Sequence, residues 1–314
     1  MKPRILVIGS MNMDLCMYGL EGLPAWGAST FATEYRYATG GKGANQAFAV
    51  SKLGGEAYMV GRIGEDENGR QLMDSLKSSG VETRFVVTDP MHSTGLSTMN
   101  MGEEGKYFSI YVPGANTAMC EQDVLAALDV YDFDMILMQL EMPRPLVYRI
   151  CELGRERHIP IFLDAGPAMQ IPLEKLRGTL VISPNEAETE AMTGIAPETD
   201  ADIEAAAKLL YEKAAPKYVL LKLGKRGAYL YSDTHKEMIP GFKVNAIDTT
   251  AAGDTFSAAF CVGYSQGKQI HEAVEYAHAA AAVCVTRKGG QPSIPEQWEA
   301  DEFYAANREQ NGVK

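Results

Sequence analysis

The stretch Leu180-Val181-Ile182-Ser183-Pro184-Asn185-Glu186-Ala187-Glu188 decides the fold class. Four residues suited to a strand stop at a proline, and a helical run over Glu186–Thr193 starts directly behind it. A short apolar strand feeding an amphipathic helix is the repeating unit of an α/β fold with a mostly parallel sheet. The pattern recurs outward in both directions. Strands are predicted at Ile5–Ile8, Ala57–Val60, Met135–Met138, Ile159–Asp164, Tyr218–Leu221 and Ala228–Tyr231. Helices are predicted at Lys42–Leu53, Asp66–Ser79, Pro145–Arg157, Asp202–Lys213, Gly253–Ser265 and Ile270–Thr286.

Two stretches break the alternation. Met11–Tyr18 with Phe31–Ala38 reads as extended, and so does Gly95–Met101 with Lys106–Val112 around a Gly102–Gly105 turn. They predict a small sheet, built from about 11–38 and 95–112, inserted into a single domain over 1–314. Such a sheet reads equally as a cover over a site or as an edge extension.

Composition bounds the function. Hydrophobic residues make up 46% and charged residues 22% of the 314, ordinary values for a globular protein. A formal net charge of −12 argues against a nucleic-acid or anionic-membrane partner. It leaves room for a phosphate site, which local backbone amides can build. Cys16, Cys120, Cys151, Cys261 and Cys284 are odd in number and widely spaced, without a CxxC, so the expectation is a reducing, cytoplasmic compartment. Lys2-Pro3-Arg4 leads into only four apolar residues, too short for a signal peptide, and no apolar run is long enough to span a membrane.

The strongest chemical segment is Asp248-Thr249-Thr250-Ala251-Ala252-Gly253-Asp254-Thr255-Phe256. Small residues at 251–253 allow a tight turn into a helix, whose free N–H groups and dipole make an anion site. Asp254 falls in the first turn, where it could accept a proton while those amides stabilise a transferring phosphoryl group. The dipole predicts an ionised, weakly basic carboxylate. Helix capping is the plainer reading of the same residue.

Thr39-Gly40-Gly41-Lys42-Gly43-Ala44-Asn45-Gln46-Ala47 opens another helix. It fails the GxxxxGK[ST] pattern because Gly43 follows Lys42, and it lacks the third glycine of GxGxxG. A flexible loop remains, with Lys42 and Asn45 able to donate to hydroxyls. Asn12, Asp14, Glu141, Asn185 and Glu188 follow strand ends, where ligands bind in open α/β sheets. The glycine-rich turn Lys222–Gly227 could hold outer phosphates or simply close a hairpin. Gly263-Tyr264-Ser265-Gln266-Gly267 matches GxSxG, but no acid-then-histidine order follows it, so Ser265 is read as a helix end capped by Gly267.

Together these segments resemble the ribokinase-like family of carbohydrate kinases. The likeness runs in family order from about residue 4 to 295. Besides the segments above it takes in Gly9–Asp14, Gly61–Gly69, Pro113–Asn116, Met138–Glu141 and Val285–Ser293. The resemblance implies a doubly wound sheet of about nine strands with a small β-sheet lid, and a homodimer formed through that lid. It implies ATP-dependent phosphorylation of a small sugar, with D-ribose at O5 foremost. Deoxyribose, another pentose or a nucleoside are alternatives, and a non-catalytic sugar-binding regulator is the rival outside the class.

Carried over by position, the sugar would be held by Asn12, Asp14, Gly40, Gly41, Lys42, Gly43, Ala44, Asn45 and Glu141. Asp254 would be the base, with Ala251, Ala252 and Gly253 as the anion hole. Asn185, Lys222, Gly224, Gly227, Gly253 and His278 would meet ATP, and Asn185 and Glu188 would organise Mg2+ through water. Asp248, Thr250, Cys284, Arg287, Gly289 and Ser293 would surround an activating K+. The sequence departs from the family pattern at Lys222, where Thr is common, and at Asp164-Ala165-Gly166-Pro167, which replaces a more Pro-rich turn. The lid residues Met99, Met101, Tyr107, Ile110 and Tyr111 also have a composition of their own.

Overall fold

In the computed structural model, which describes residues 2–102 and 107–308, strands and helices alternate along most of the chain. The large sheet contains β1 (Arg4–Ile8), β4 (Glu56–Gly64), β5 (Glu82–Asp89), β8 (Met135–Met138) and β9 (Ile161–Asp164). It continues with β10 (Val181–Ser183), β11 (Tyr218–Lys222), β12 (Ala228–Tyr231) and β13 (Lys236–Ile239). A second sheet contains β2 (Asn12–Leu20), β3 (Glu34–Gly40), β6 (Gly95–Gly102) and β7 (Tyr107–Val112). The helices are α1 (Lys42–Lys52), α2 (Glu67–Ser78), α3 (Glu121–Leu128), α4 (Arg144–Arg157), α5 (Glu186–Thr193), α6 (Asp200–Ala214), α7 (Ala252–Ser265), α8 (Ile270–Val285) and α9 (Gln297–Asn307).

The nine strands lie in the order β13-β12-β11-β10-β9-β8-β1-β4-β5. All neighbours are parallel except at one edge, where β11, β12 and β13 pair antiparallel. The central strands read as unbroken apolar runs because both faces are covered. Ile5 and Val7 of β1 point into a core shared with α1, α7, α8 and α9. Leu6 and Ile8 point the other way, into a core shared with α3, α4 and α6. Alternation along a strand sorts the two sets without any alternation in hydrophobicity.

The small sheet has the order β3-β2-β6-β7. β2 pairs antiparallel with β3 and parallel with β6, and β6 pairs antiparallel with β7. The expected extended segments are present, with one displacement: the second strand runs over Glu34–Gly40, and Phe31 lies outside it and exposed. Residues 103–105 of the expected turn lie outside the described residues. Tyr35, Tyr37 and Ile110 on this sheet are more than half exposed.

The GxSxG stretch behaves as a helix end: α7 stops at Ser265 and Gly267 follows at φ 98°. No described helix is long and apolar enough to cross a membrane.

Candidate active site

The parallel topology brings the carboxyl ends of β1, β8, β9, β10 and β11 to one edge of the large sheet, and α7 starts above them. Ala251 precedes α7 in the left-handed conformation (φ 61°, ψ 6°), which turns the chain sharply into the helix. Among the described residues the Gly253 and Asp254 amides reach no backbone acceptor, so both are free at the helix N-terminus.

Asp254 is buried behind those amides. Asn45 Nδ2 donates to its Oδ2 at 3.0 Å and Gln46 Nε2 to its Oδ1 at 3.1 Å. Burial is the largest influence on this carboxyl and pushes its pKa up to about 6, while the Lys42 ammonium pulls the other way. The depression expected from the helix dipole is therefore overturned in direction by burial. At neutral pH the group is still mostly a carboxylate, and it is a stronger base than an exposed aspartate.

Gln46 organises the floor. Its Nε2 also donates to Asp164 Oδ2 at 3.0 Å, and its Oε1 accepts from Gln139 Nε2 at 2.6 Å. Two carboxylates on the amide nitrogen and one donor on the oxygen fix the orientation of the side chain. Asp164, the last residue of β9, is wholly buried and carries two ion pairs: one to Lys222 Nζ and one to Lys42 Nζ at 3.5 Å. Burial alone would raise its pKa, but the two ammonium groups outweigh it and hold the carboxyl below the usual range. Asp164, Gln46 and Gln139 were not singled out as site residues from sequence. The rule applied to Asn12 and Asn185, polar residues at strand ends, applies equally to Asp164 and Gln139.

The segment passes from Gly40, the last residue of β3, through the N-cap Gly41 (φ 87°) into the first turn of α1 at Lys42–Asn45, and is not a flexible loop. A Cβ on Gly43 would come within 2.6 Å of the Gly9 carbonyl carbon, so glycine here permits close packing against the β1–β2 turn. Asn45 is committed to Asp254 rather than free for a hydroxyl, and its Oδ1 is buried without a partner. Glu141 accepts from Ser10 Oγ and, at 3.4 Å, from the Lys42 amide. Asp14 lies on β2, and a Cβ on Gly40 would come within 2.1 Å of its Oδ2. Burial first, then the charges of Glu141 and Asp254, push Asp14 up to about 7. Asn12 Oδ1 accepts from Asn116 Nδ2 at 2.8 Å, and Asn116 Oδ1 accepts from the Met11 amide at 2.9 Å.

Asn185 and Glu188 cap α5 reciprocally: Glu188 Oε2 accepts from the Asn185 amide at 2.8 Å, and Asn185 Oδ1 from the Glu188 amide at 2.9 Å. The other Glu188 oxygen faces the crevice, since a Cβ on Gly166 would meet Glu188 Oε1 at 2.5 Å and Lys42 Nζ at 2.7 Å. The turn from Gly224 to Gly227 closes the β11–β12 hairpin, with Lys222 opposite Ala228. His278 on α8 packs on Phe256 at 5.1 Å, and its Nε2 is buried without a partner. Burial pushes its pKa down to about 4, so the ring is neutral.

The residues expected around K+ are joined to one another. Asp248 accepts from the Thr250 hydroxyl at 2.6 Å and from the Gly289 amide at 2.9 Å. Cys284 Sγ approaches Ser293 Oγ at 3.1 Å and the Thr250 carbonyl at 3.8 Å. Arg287 turns its side chain to Glu299, which leaves only its backbone for the cluster.

Comparison with known proteins bears on the family and the fold. The pfkB family carbohydrate kinase pattern matches residues 2–297. The chain is 35% identical over 304 residues to the ribokinase of Bacillus subtilis (strain 168), covering 96% of this chain and 99% of that protein. It is 32% identical over 305 residues to the deoxyribokinase of Salmonella typhi, covering 96% and 99%. Among solved structures, Arabidopsis thaliana ribokinase complexed with ribose and ATP superposes with a TM-score of 0.87 at 32% identity, covering 97% of this chain and 99% of that one.

Proposed function

The chain belongs to the pfkB family of carbohydrate kinases, and we propose that it transfers the γ-phosphoryl group of ATP to O5 of D-ribose. The observation that carries the reading is Asp254: a buried carboxylate at the start of α7, beside free amides and fixed by Asn45 and Gln46. The sugar O5 hydroxyl gives its proton to Asp254 as the oxygen attacks the γ-phosphorus, and the bond to the β-phosphate oxygen breaks to release ADP. The Gly253 and Asp254 amides, with the α7 dipole, stabilise the charge that grows on the phosphoryl oxygens.

Asp14, Asn12, Glu141 and the Gly40–Ala44 segment form the wall that receives the sugar. The nucleotide lies along Asn185, Lys222 and the Gly224–Gly227 turn towards His278. Glu188 fits a water-mediated Mg2+ site because one of its oxygens is spent on the α5 cap and the other faces the crevice. Mg2+ there would neutralise phosphate charge. The joined Asp248–Ser293 cluster fits a K+ site beside the anion hole, and K+ would add positive potential there.

The exposed Tyr35, Tyr37 and Ile110 suit the small sheet to a second copy of the chain, giving a homodimer. Free thiols at all five cysteines suit the cytoplasm.

The test is ADP release with ATP, Mg2+ and K+ against ribose, deoxyribose, arabinose, xylose, fructose, adenosine and uridine. A selective ribose signal is expected. A larger signal elsewhere keeps the chemistry and moves the substrate, and silence from folded protein favours a sugar-binding regulator.

A further inference from the structure

Asp164 has no part in the reaction as just described, yet it is the most enclosed carboxylate of the site. It is 0% exposed, whereas the side chains of its partners Lys42 and Lys222 are 26% and 15% exposed. The carboxylate is therefore fully enclosed, and the two lysines that pair with it keep part of their side chains exposed. Their positions are distinct. A Cβ on Gly253 would have Lys222 Nζ as its neighbour at 3.9 Å, beside the free amides of α7. Lys42 Nζ lies across the crevice, beside Glu188 Oε1 and above Gly166.

A buried ion pair adds little net stability, and one lysine would satisfy one carboxylate. Lys42 also lies close to Glu188, Asp254 and Glu141, whereas among the described residues Lys222 pairs with Asp164 alone, beside the place where an anion is to bind. We propose that Asp164 is a positioning residue for phosphoryl transfer: it holds Lys222 beside the free amides of α7 and Lys42 beside Gly166, so that the two ammonium groups are fixed around the transferring group. Lys222 is the one nearest the α7 amides and meets the terminal phosphate. Asp164 also touches the base indirectly, because Gln46 Nε2 is shared between Asp164 and Asp254. The two departures from the family pattern noted in the sequence, at 164 and at 222, are thus one contact.

The inference rests on the kinase reading, and its test includes an arm that needs no turnover. Asp164→Asn, Lys222→Thr and the double variant are compared by kcat, sugar KM and pH profile, with melting to verify the fold. Equilibrium binding of AMP-PNP and of ADP is measured alongside. Lys222→Thr should weaken AMP-PNP on the order of tenfold or more, the worth of a lost charge-assisted hydrogen bond, and leave ADP within about twofold. Asp164→Asn should lower kcat on the order of tenfold with sugar KM little changed. It should also move the acid limb of the profile to lower pH, because the Asp164 charge helps keep Asp254 protonated. The double variant should lose less than the product of the single losses.

Equal weakening of AMP-PNP and ADP, multiplicative losses in the double variant, or a change in melting alone would overturn the proposal. If Asp164→Asn does not fold, the Lys222→Thr binding comparison decides. If the wild type phosphorylates nothing, the kinase reading fails and this inference falls with it, whereas an active wild type in which Lys222→Thr weakens AMP-PNP and ADP equally overturns this inference alone.

Discussion

Replacing Asp254 with Asn separates two consequences of one buried carboxylate. Burial raises its pKa from the ordinary value of 3.8 to about 6, so the unfolded chain ionises it more readily than the folded one. For a raised pKa the linked stability is complete below the unfolded value and is lost as pH climbs through the folded value. A shift of about two units costs roughly 3 kcal/mol at pH 7 and above, and about half of that remains at pH 5. Asparagine stands in for the neutral form and escapes this cost. It meets a second donor, Gln46 Nε2, which takes back about 1 kcal/mol. The variant should therefore be about 2 kcal/mol more stable than wild type at pH 8 and no more stable at pH 4, read by urea unfolding across pH. Its kcat should fall about 10²- to 10⁴-fold, with sugar affinity by calorimetry nearly unchanged. A stability difference that does not change with pH would refute the raised pKa. A fall in kcat of less than about tenfold would refute the base.

In the wild type, log kcat/KM should bend downward below about pH 6 as Asp254 takes up a proton; a plain acid limb near 4 would contradict the burial argument. Gly41→Ala should destabilise by several kcal/mol, because at φ 87° its Cβ would lie 2.6 Å from the Asn12 amide nitrogen. Ala251→Gly should instead stabilise by roughly 1 kcal/mol, since it relieves a left-handed alanine; chemical denaturation reads both. At fixed ionic strength, K+ should accelerate turnover relative to tetramethylammonium, and Asp248→Ala should remove the difference. Equal rates in the two salts would dispose of the K+ site.

The central strands were legible because burial on both faces writes itself as runs such as Ile5–Ile8 and Met135–Met138. The strands missed, β5 and β13, lie at the two edges, where exposed Arg84 or Lys236 interrupts the run. Helices α3 and α9 were missed as well; each is short or carries large exposed side chains such as Trp298. The parallel pairing of β2 with β6 joins segments some eighty residues apart and leaves no local mark. At the site, Asp254 and Asn185 were legible because turn and cap residues announce a helix start. Gln46 was not, because what matters in it is the pair of carboxylates it shares, and partners are set by packing.

The register of the small sheet has a mechanical meaning. Asn12, the first residue of β2, stands opposite Gly40, the last of β3, and opposite Gly95, the first of β6. Both strands pass from there directly into the large domain, β2 back through Ser10 to β1 and β3 forward into α1. Any rocking of the small sheet against the large one pivots on that row. Asp14, two residues outward, travels with the moving arm, whereas Lys42, Asn45 and Asp254 stay with the frame. The distance between the Asp14 and Asp254 carboxyl groups is therefore set by one angle.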